Sequence, residues 1–374
     1  MVNVEALNSC KEKMQKEGIN SLHISIFEKY FNQLFSDSDV GYIPESEVEG
    51  VKNLDSFESL TSAASDEEIK SAVIIKLNGG LATTMGLDRA KVLLQLKDGK
   101  NFLDYIVDAA KLDNGIRVPL IFMDSFRTSQ DTLNYLSKYD FLQDQGFPLD
   151  FLQSKEPKID FETYYPAVYN QDPSLEWCPP GHGDIYASLF TSGILEKLIN
   201  SGIKYAFISN ADNLAARFDA RILKYIIDND FSFCSELTRK TENDIKGGHI
   251  VKRGSRYVLR EFSQIPPSDK DDALNPENHP FVNTNNVWVN LHHLLELIKC
   301  DNGYLGLPLI KNVKNVNPQD KSLQDKENVK VIQLETAMGA GIGAFENVGL
   351  LEIPRTRFLP VKDYADLDRL KAVL

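Results

Sequence analysis

The stretch Ile74-Ile75-Lys76-Leu77-Asn78-Gly79-Gly80-Leu81-Ala82-Thr83-Thr84-Met85-Gly86 runs from apolar residues straight into a glycine pair and a small, hydroxyl-bearing turn. Such a run predicts a buried strand whose carboxyl end opens into a loop with exposed backbone, where glycines without a Cβ can turn sharply and admit a ligand. Two readings fit the residues: a phosphate cradle at a strand end, or a plain strand-to-helix turn. No Gly-Lys-Ser/Thr closes the stretch and its glycines do not fit GxGxxG, so neither common phosphate-loop template applies. Lys91, in Asp88-Arg89-Ala90-Lys91-Val92-Leu93, follows closely enough to neutralise phosphate oxygens as a point charge, or else lies in solvent.

Outward from that stretch, strand-like and helical runs alternate at residues 71–77, 102–111, 118–123, 129–138, 184–201, 204–209 and 217–228. The alternation predicts an α/β domain with a mostly parallel central sheet, opening at about residue 71. Ligands of such sheets bind outside the carboxyl ends of the strands. Ahead of it, residues 1–70 read as a helical segment and a lead-in: Leu22, Ile26, Phe27, Tyr30, Phe31 and Leu34 form one helical face, and residues 36–65 are acidic and serine-rich. Residues 363–374 read as a short C-terminal helix or a truncated linker.

The chain has 374 residues, 42% hydrophobic and 25% charged, within the range of globular proteins. Its formal net charge of −13 disfavours attraction to nucleic acid or anionic lipid, so any phosphate site must be a local basic focus. Cys10, Cys178, Cys234 and Cys300 show no CxxC spacing, which suits a reducing compartment rather than a zinc knuckle or disulfide framework. The N-terminus lacks a signal-peptide layout and no apolar run reaches bilayer length. The expectation is a cytoplasmic protein with neither nucleic-acid nor membrane partners.

Four further clusters carry candidate chemistry. In Tyr205-Ala206-Phe207-Ile208-Ser209-Asn210-Ala211-Asp212-Asn213-Leu214 an apolar strand delivers Asp212 to the sheet edge, to hold a magnesium ion against phosphates or to cap the next helix. Trp177-Cys178-Pro179-Pro180-Gly181-His182-Gly183-Asp184 is a rigid loop whose His182 either contacts a phosphate or sugar hydroxyl or bonds the backbone. Asn283-Thr284-Asn285-Asn286, between apolar flanks, suits the reading of sugar hydroxyls or forms an Asn-rich turn. Pro354-Arg355-Thr356-Arg357-Phe358-Leu359-Pro360-Val361-Lys362 is a basic segment in an acidic chain, ordinarily a solvated charge run.

In this order, and with Lys246-Gly247-Gly248, these motifs resemble those of the UDP-glucose pyrophosphorylase (UTP:glucose-1-phosphate uridylyltransferase) family from about Val73 to Lys362. The resemblance implies a Rossmann-like, GT-A-like nucleotidyltransferase domain over residues 71–362, with a mixed, mostly parallel central sheet, that converts UTP and glucose 1-phosphate into UDP-glucose and pyrophosphate with Mg2+. It implies that Leu77, Asn78, Gly79 and Gly80 cradle the UTP phosphates, that Lys91 contacts them, and that Gln153 reads uracil with the backbone near Gly181. It assigns Asp212 to the metal, His182, Asn210, Gly248, Glu261, Asn283 and Asn285 to the sugar phosphate, and Lys362, with Lys91 and Asp212, to catalysis. Ala82 stands where the family has a third glycine, and Arg89-Ala90 where it has Gly-Pro. Family members continue into a left-handed parallel β-helix that mediates assembly; this chain ends at Leu374, so the expectation is that the domain is absent and the protein a monomer or weak dimer. The alternatives are a pyrophosphorylase for galactose 1-phosphate or N-acetylglucosamine 1-phosphate, a non-catalytic nucleotide-sugar binder, and a glycosyltransferase, for which no acceptor region is found.

Overall fold

The computed structural model describes residues 3–36, 41–81, 90–320 and 328–374. Expectations that concern Ala82, Thr84, Met85, Gly86 and Arg89 fall outside these residues. In chain order the helices are α1 (Val4–Lys16), α2 (Ser21–Gln33), α3 (Asp66–Lys70), α4 (Phe102–Ala109), α5 (Ser129–Leu136), α6 (Asp140–Gln143), α7 (Ile185–Thr191), α8 (Ile194–Asn200), α9 (Ala220–Asp228), α10 (Lys270–Leu274), α11 (Leu291–Cys300) and α12 (Tyr364–Val373). The strands are β1 (Glu49–Gly50), β2 (Asp55–Ser56), β3 (Ala72–Asn78), β4 (Leu120–Asp124), β5 (Asp150–Leu152), β6 (Glu156–Pro157), β7 (Ile159–Asp160) and β8 (Trp177–Cys178). They continue with β9 (Tyr205–Asn210), β10 (Phe233–Arg239), β11 (His249–Arg253), β12 (Arg256–Arg260), β13 (Phe281–Asn290), β14 (Ile310–Asn315), β15 (Lys330–Glu335) and β16 (Val348–Glu352).

Eight strands form the central sheet in the order β2-β16-β10-β13-β9-β3-β4-β5. Only β13 runs against its neighbours, β9 and β10; the other pairings are parallel. Every residue of β3 is buried, as a central strand covered on both faces requires. Period-two alternation divides its side chains between two layers. Ile74, Phe122, Phe207 and Trp288 face the layer of α4, α9 and α12, whereas Val73, Ile75, Ile121 and Ile208 face that of α7, α8 and α11.

The structure corrects two expectations and adds one helix. Residues 184–201 are two helices, because Gly193 takes a left-handed conformation (φ 75°) between α7 and α8. Residues 36–65 are no mere linker: β1 pairs with β11 and β2 adds to the sheet edge beside β16. A helix unmarked in the sequence reading, α1, is capped by the Asn3 side chain and buries Ala6, Leu7, Cys10 and Met14. With α2 it packs on Ile159, Leu309, Ile332 and Leu334 of an outlying sheet and its flank. No described helix is long and apolar enough to cross a membrane.

Candidate active site

Beyond the carboxyl ends of β3, β4 and β9 lies a cavity of about 330 Å³ lined by Leu77, Asn78, Gly79, Gly80, Lys91, Gln153, Gly181, His182, Asn210 and Asp212, among others. Ten sequence-nominated residues therefore converge, although they span 136 positions of chain from Leu77 to Asp212. One wall is built by Gln153, whose Nε2 donates to the Gly181 carbonyl at 2.7 Å and whose backbone N–H donates to the Asp124 carbonyl at 2.7 Å. The need for glycine at position 79 is steric. Neither Gly79 nor Gly80 takes a positive φ; a Cβ on Gly79 would lie 2.7 Å from Gln153 Oε1, whereas one on Gly80 would meet open space. The positive φ occurs instead at Gly181 (78°), where a Cβ would also lie 2.4 Å from the Thr336 carbonyl oxygen.

The Asn78 side chain is spent on the scaffold: its Nδ2 donates to Asp124 Oδ1 at 2.6 Å and Thr132 Oγ1 at 2.9 Å. Burial and the nearby Asp150 charge push the Asp124 carboxyl up to about 7. His182 is fixed by its backbone neighbour, because Met338 N–H donates to its Nδ1 at 2.8 Å. Burial lowers its pKa to about 4, so at neutral pH the ring is uncharged and presents Nε2–H as a donor. The segment Met338–Gly343 that holds it was missed in the sequence; its run of glycines and alanines was the available signal.

At the opposite end, Lys91 Nζ lies 2.8 Å from Asp212 Oδ2 and also donates to the Val361 carbonyl. Asp212 Oδ1 is buried without a hydrogen-bond partner among the described residues. Asp212 caps no helix; it sits on a turn whose carbonyl accepts from Val361 N–H at 3.2 Å. The basic segment carrying Val361 and Lys362 is not a solvated charge run. Arg357 donates to both carboxylate oxygens of Glu236 at 3.1 and 3.2 Å, and Arg355 pairs with Asp244. Glu236 is fully buried and also accepts from Trp288 Nε1 at 2.9 Å and Asn286 Nδ2 at 3.1 Å. Sequence reasoning missed Glu236; nothing marks one glutamate in a strand as the anchor of a segment 121 residues away.

Gly248, Glu261, Asn283 and Asn285 form a second cluster rather than lining the same cavity. A Cβ on Gly248 would lie 2.6 Å from Glu261 Oε2, and Asn283 Nδ2 donates to Asn285 Oδ1 at 2.9 Å. Asn283 to Asn286 is no turn: it lies within β13, whose pairing with β10 shifts register there, and Asn285 takes φ 56° at this bulge. Asn210 and Asn285 each stand two residues past the last β9–β13 rung, Ile208↔Val287, so the bulge brings the second cluster beside the first. Burial raises the Glu261 carboxyl pKa, and the Lys362 charge opposes that rise, which places Lys362 near this cluster.

The family model described as UTP–glucose-1-phosphate uridylyltransferase matches residues 24–372. The chain belongs to this family. A probable UTP–glucose-1-phosphate uridylyltransferase of Schizosaccharomyces pombe is 34% identical over 97% of this chain and 71% of its own length. That of Encephalitozoon cuniculi is 39% identical over 81% of this chain and 58% of its own length, and that of Hordeum vulgare 39% over 79% and 60%. The chain thus matches about three-fifths of the length of most of these uridylyltransferase relatives. The UDP-glucose phosphorylase structure from Trypanosoma brucei superposes with a TM-score of 0.90 at 40% identity, covering 98% of this chain and 79% of the other. A UDP-glucose pyrophosphorylase variant from Leishmania major in complex with UDP-glucose gives 0.88 at 38%, covering 97% and 78%. These matches bear out the mixed, mostly parallel uridylyltransferase fold expected from the sequence.

Proposed function

We propose that the chain makes UDP-glucose and pyrophosphate from UTP and glucose 1-phosphate. The observation that carries this reading is the joining, in one cavity, of the Gln153–Gly181 wall to the Lys91–Asp212 pair. An amide can donate to one uracil edge atom and accept from the ring N–H, so Gln153 suits base reading. The Lys91–Asp212 end suits the triphosphate. Gly248, Glu261, Asn283 and Asn285 supply donors and acceptors for hexose hydroxyls, and the names of the relatives favour glucose among the sugars considered.

An ionised oxygen of the sugar phosphate attacks the α-phosphorus of UTP in line. The new P–O bond forms as the bond to the oxygen bridging the α- and β-phosphorus breaks, and that oxygen leaves on pyrophosphate. The attacking oxygen is already an anion, so no general base is needed; the chain has to align two anions and offset their repulsion. Lys91 and Lys362 provide positive charge, and His182 Nε2–H provides a neutral donor. Asp212 fits Mg2+, because its buried, unpartnered Oδ1 offers a hard oxygen of the kind this ion takes together with substrate phosphates. When bound, the ion would neutralise charge on the phosphate oxygens. Pyrophosphate release from UTP, measured over a panel of sugar 1-phosphates, tests the proposal; no release with glucose 1-phosphate would overturn it.

Two variants divide the site by function. Gln153→Ala is expected to reduce discrimination of UTP over CTP by about tenfold while slowing UTP turnover less, in keeping with the cost of an unpaired polar group at a specificity site. Equal loss with all nucleotides would make Gln153 structural. Lys362→Ala is expected to lower kcat about 100-fold with little change in KM for UTP, the pattern of charge used mainly as the two substrates meet. Unchanged kcat would remove Lys362 from the mechanism.

A further inference from the structure

We propose that His23, on α2, is a positioning residue for the nucleotide base, acting through Asp184 on the Gln153–Gly181 wall; the inference rests on the uridylyltransferase reading above. His23 is 8% exposed and is absent from the lining of the larger cavity; its described polar contact with the wall is Asp184. Its Nδ1 lies 3.1 Å from Asp184 Oδ1, and its Nε2 lies 3.0 Å from Thr191 Oγ1. Facing a carboxylate, Nδ1 carries the hydrogen and donates.

Asp184 ties together both halves of the wall. Its Oδ2 accepts from Ser154 N–H at 2.8 Å and from Ser188 Oγ at 2.6 Å. Ser154 directly follows Gln153, and Asp184 closes the loop that opens at Gly181, to whose carbonyl its own N–H donates at 3.3 Å. The rest of the loop is braced from the other side, where Gly183 N–H donates to the Thr336 carbonyl and Thr336 N–H to that of Pro180. Gln153 and Gly181 are therefore set relative to one another partly by the orientation of one buried carboxylate, and His23 fixes that orientation.

Without the imidazole, Asp184 Oδ1 would be a buried anionic oxygen without its donor, an arrangement that drives a group to turn toward another partner. It has room to do so, since a cavity of about 40 Å³ bordered by His23, Ser154, Glu156 and Asp184 lies beside it. Rotation of the carboxylate would release Ser154 and shift Gln153 from its register with Gly181. Small displacements of binding groups cost affinity steeply. An N-terminal helix outside the cavity would in this way tune uridine recognition.

The 374-residue chain is compared as wild type, His23→Ala and His23→Asn by steady-state kinetics and by calorimetric titration with UTP. His23→Ala is expected to weaken UTP binding and raise KM for UTP about tenfold, leaving KM for glucose 1-phosphate and kcat within about twofold, as for a hydrogen bond to a buried charged group. His23→Asn places an amide N–H near the Nδ1 position and is expected to restore UTP affinity to within about threefold of wild type. UTP affinity unchanged in His23→Ala overturns the proposal. So does an equal loss for both substrates, or a His23→Asn variant as impaired as the alanine one. Should His23→Ala not fold, Thr191→Val, which frees only the far side of the ring, decides: a rise of about threefold in KM for UTP alone supports the proposal and no rise overturns it. A wild type that binds UTP but releases no pyrophosphate would overturn the functional reading alone, because the titration still reads the coupling.

Discussion

Asp212→Ala is expected to reduce pyrophosphate release from UTP and glucose 1-phosphate by about 1000-fold or more, with the fold intact. The carboxylate has two separate tasks. Oδ2 holds Lys91 at 2.8 Å, and Oδ1 is buried with no partner among the described residues. Leaving an anionic oxygen unpaired is costly in a folded protein, and on the function proposed above a cation and the triphosphate at the site would offset that cost. The substitution would remove that ligand and also let Lys91 drift from the phosphates. Folding should survive, because the Asp212 turn is tied to the C-terminal segment through its backbone carbonyl and Val361 N–H. Asp212→Asn is the sharper variant, since its amide oxygen can still accept from Lys91 while the charge is lost. Circular dichroism of both proteins should match wild type; activity within a few-fold of wild type at saturating magnesium would remove Asp212 from the mechanism.

Glu236→Ala is expected to cost about 3–5 kcal/mol of stability, the typical penalty for removing one partner of a buried ion pair. Glu236 is fully buried in β10, and with it would go the acceptors of Arg357, Trp288 Nε1 and Asn286 Nδ2. Arg357, 11% exposed, would then keep only the Arg217 carbonyl at 2.8 Å and Asp219 Oδ2 at 4.0 Å among its described polar partners, with its main counter-charge gone. Urea unfolding of the two proteins measures the loss, and a difference below about 1 kcal/mol would contradict the anchor role. The double substitution Glu236→Met with Arg357→Met should cost less than the sum of the single changes, because replacing both charges leaves neither stranded. Activity should fall further than stability predicts in Glu236→Ala, since Arg357 lies five residues before Lys362 on the segment that Glu236 holds down.

Much of the site was legible because its parts stand at strand ends. The apolar run into Gly79 and the run into Asp212 each announce a buried strand followed by a functional turn, and parallel neighbours in a sheet place their carboxyl ends side by side. His182 was legible from its rigid Pro- and Gly-rich loop, whereas Gln153 was legible only through resemblance to family motifs, since nothing local to residues 151–154 names it. The reasons for individual residues were less accessible. Gly79 looked like a dihedral requirement and is a contact requirement, because Gln153 packs on it from 74 positions away. The arginines of the basic segment looked solvated because the matching acids, Glu236 and Asp244, lie more than a hundred residues earlier. For Asn285 a turn stood as one of two readings, because a β-bulge keeps a strand continuous through polar residues that would otherwise end it.

By itself, the sequence determined the α/β alternation, the central buried strand at residues 72–78, the acidic surface charge and the family, because each depends on local periodicity, composition or ordered motifs. Only the tertiary structure decided which carboxylates anchor a distant segment, which brace a loop and which remain unsatisfied at the cavity, as Glu236, Asp184 and Asp212 do in turn. Desolvation and pairing depend on what the fold brings within about 4 Å of a charge, and sequence separation carries almost no information about that distance.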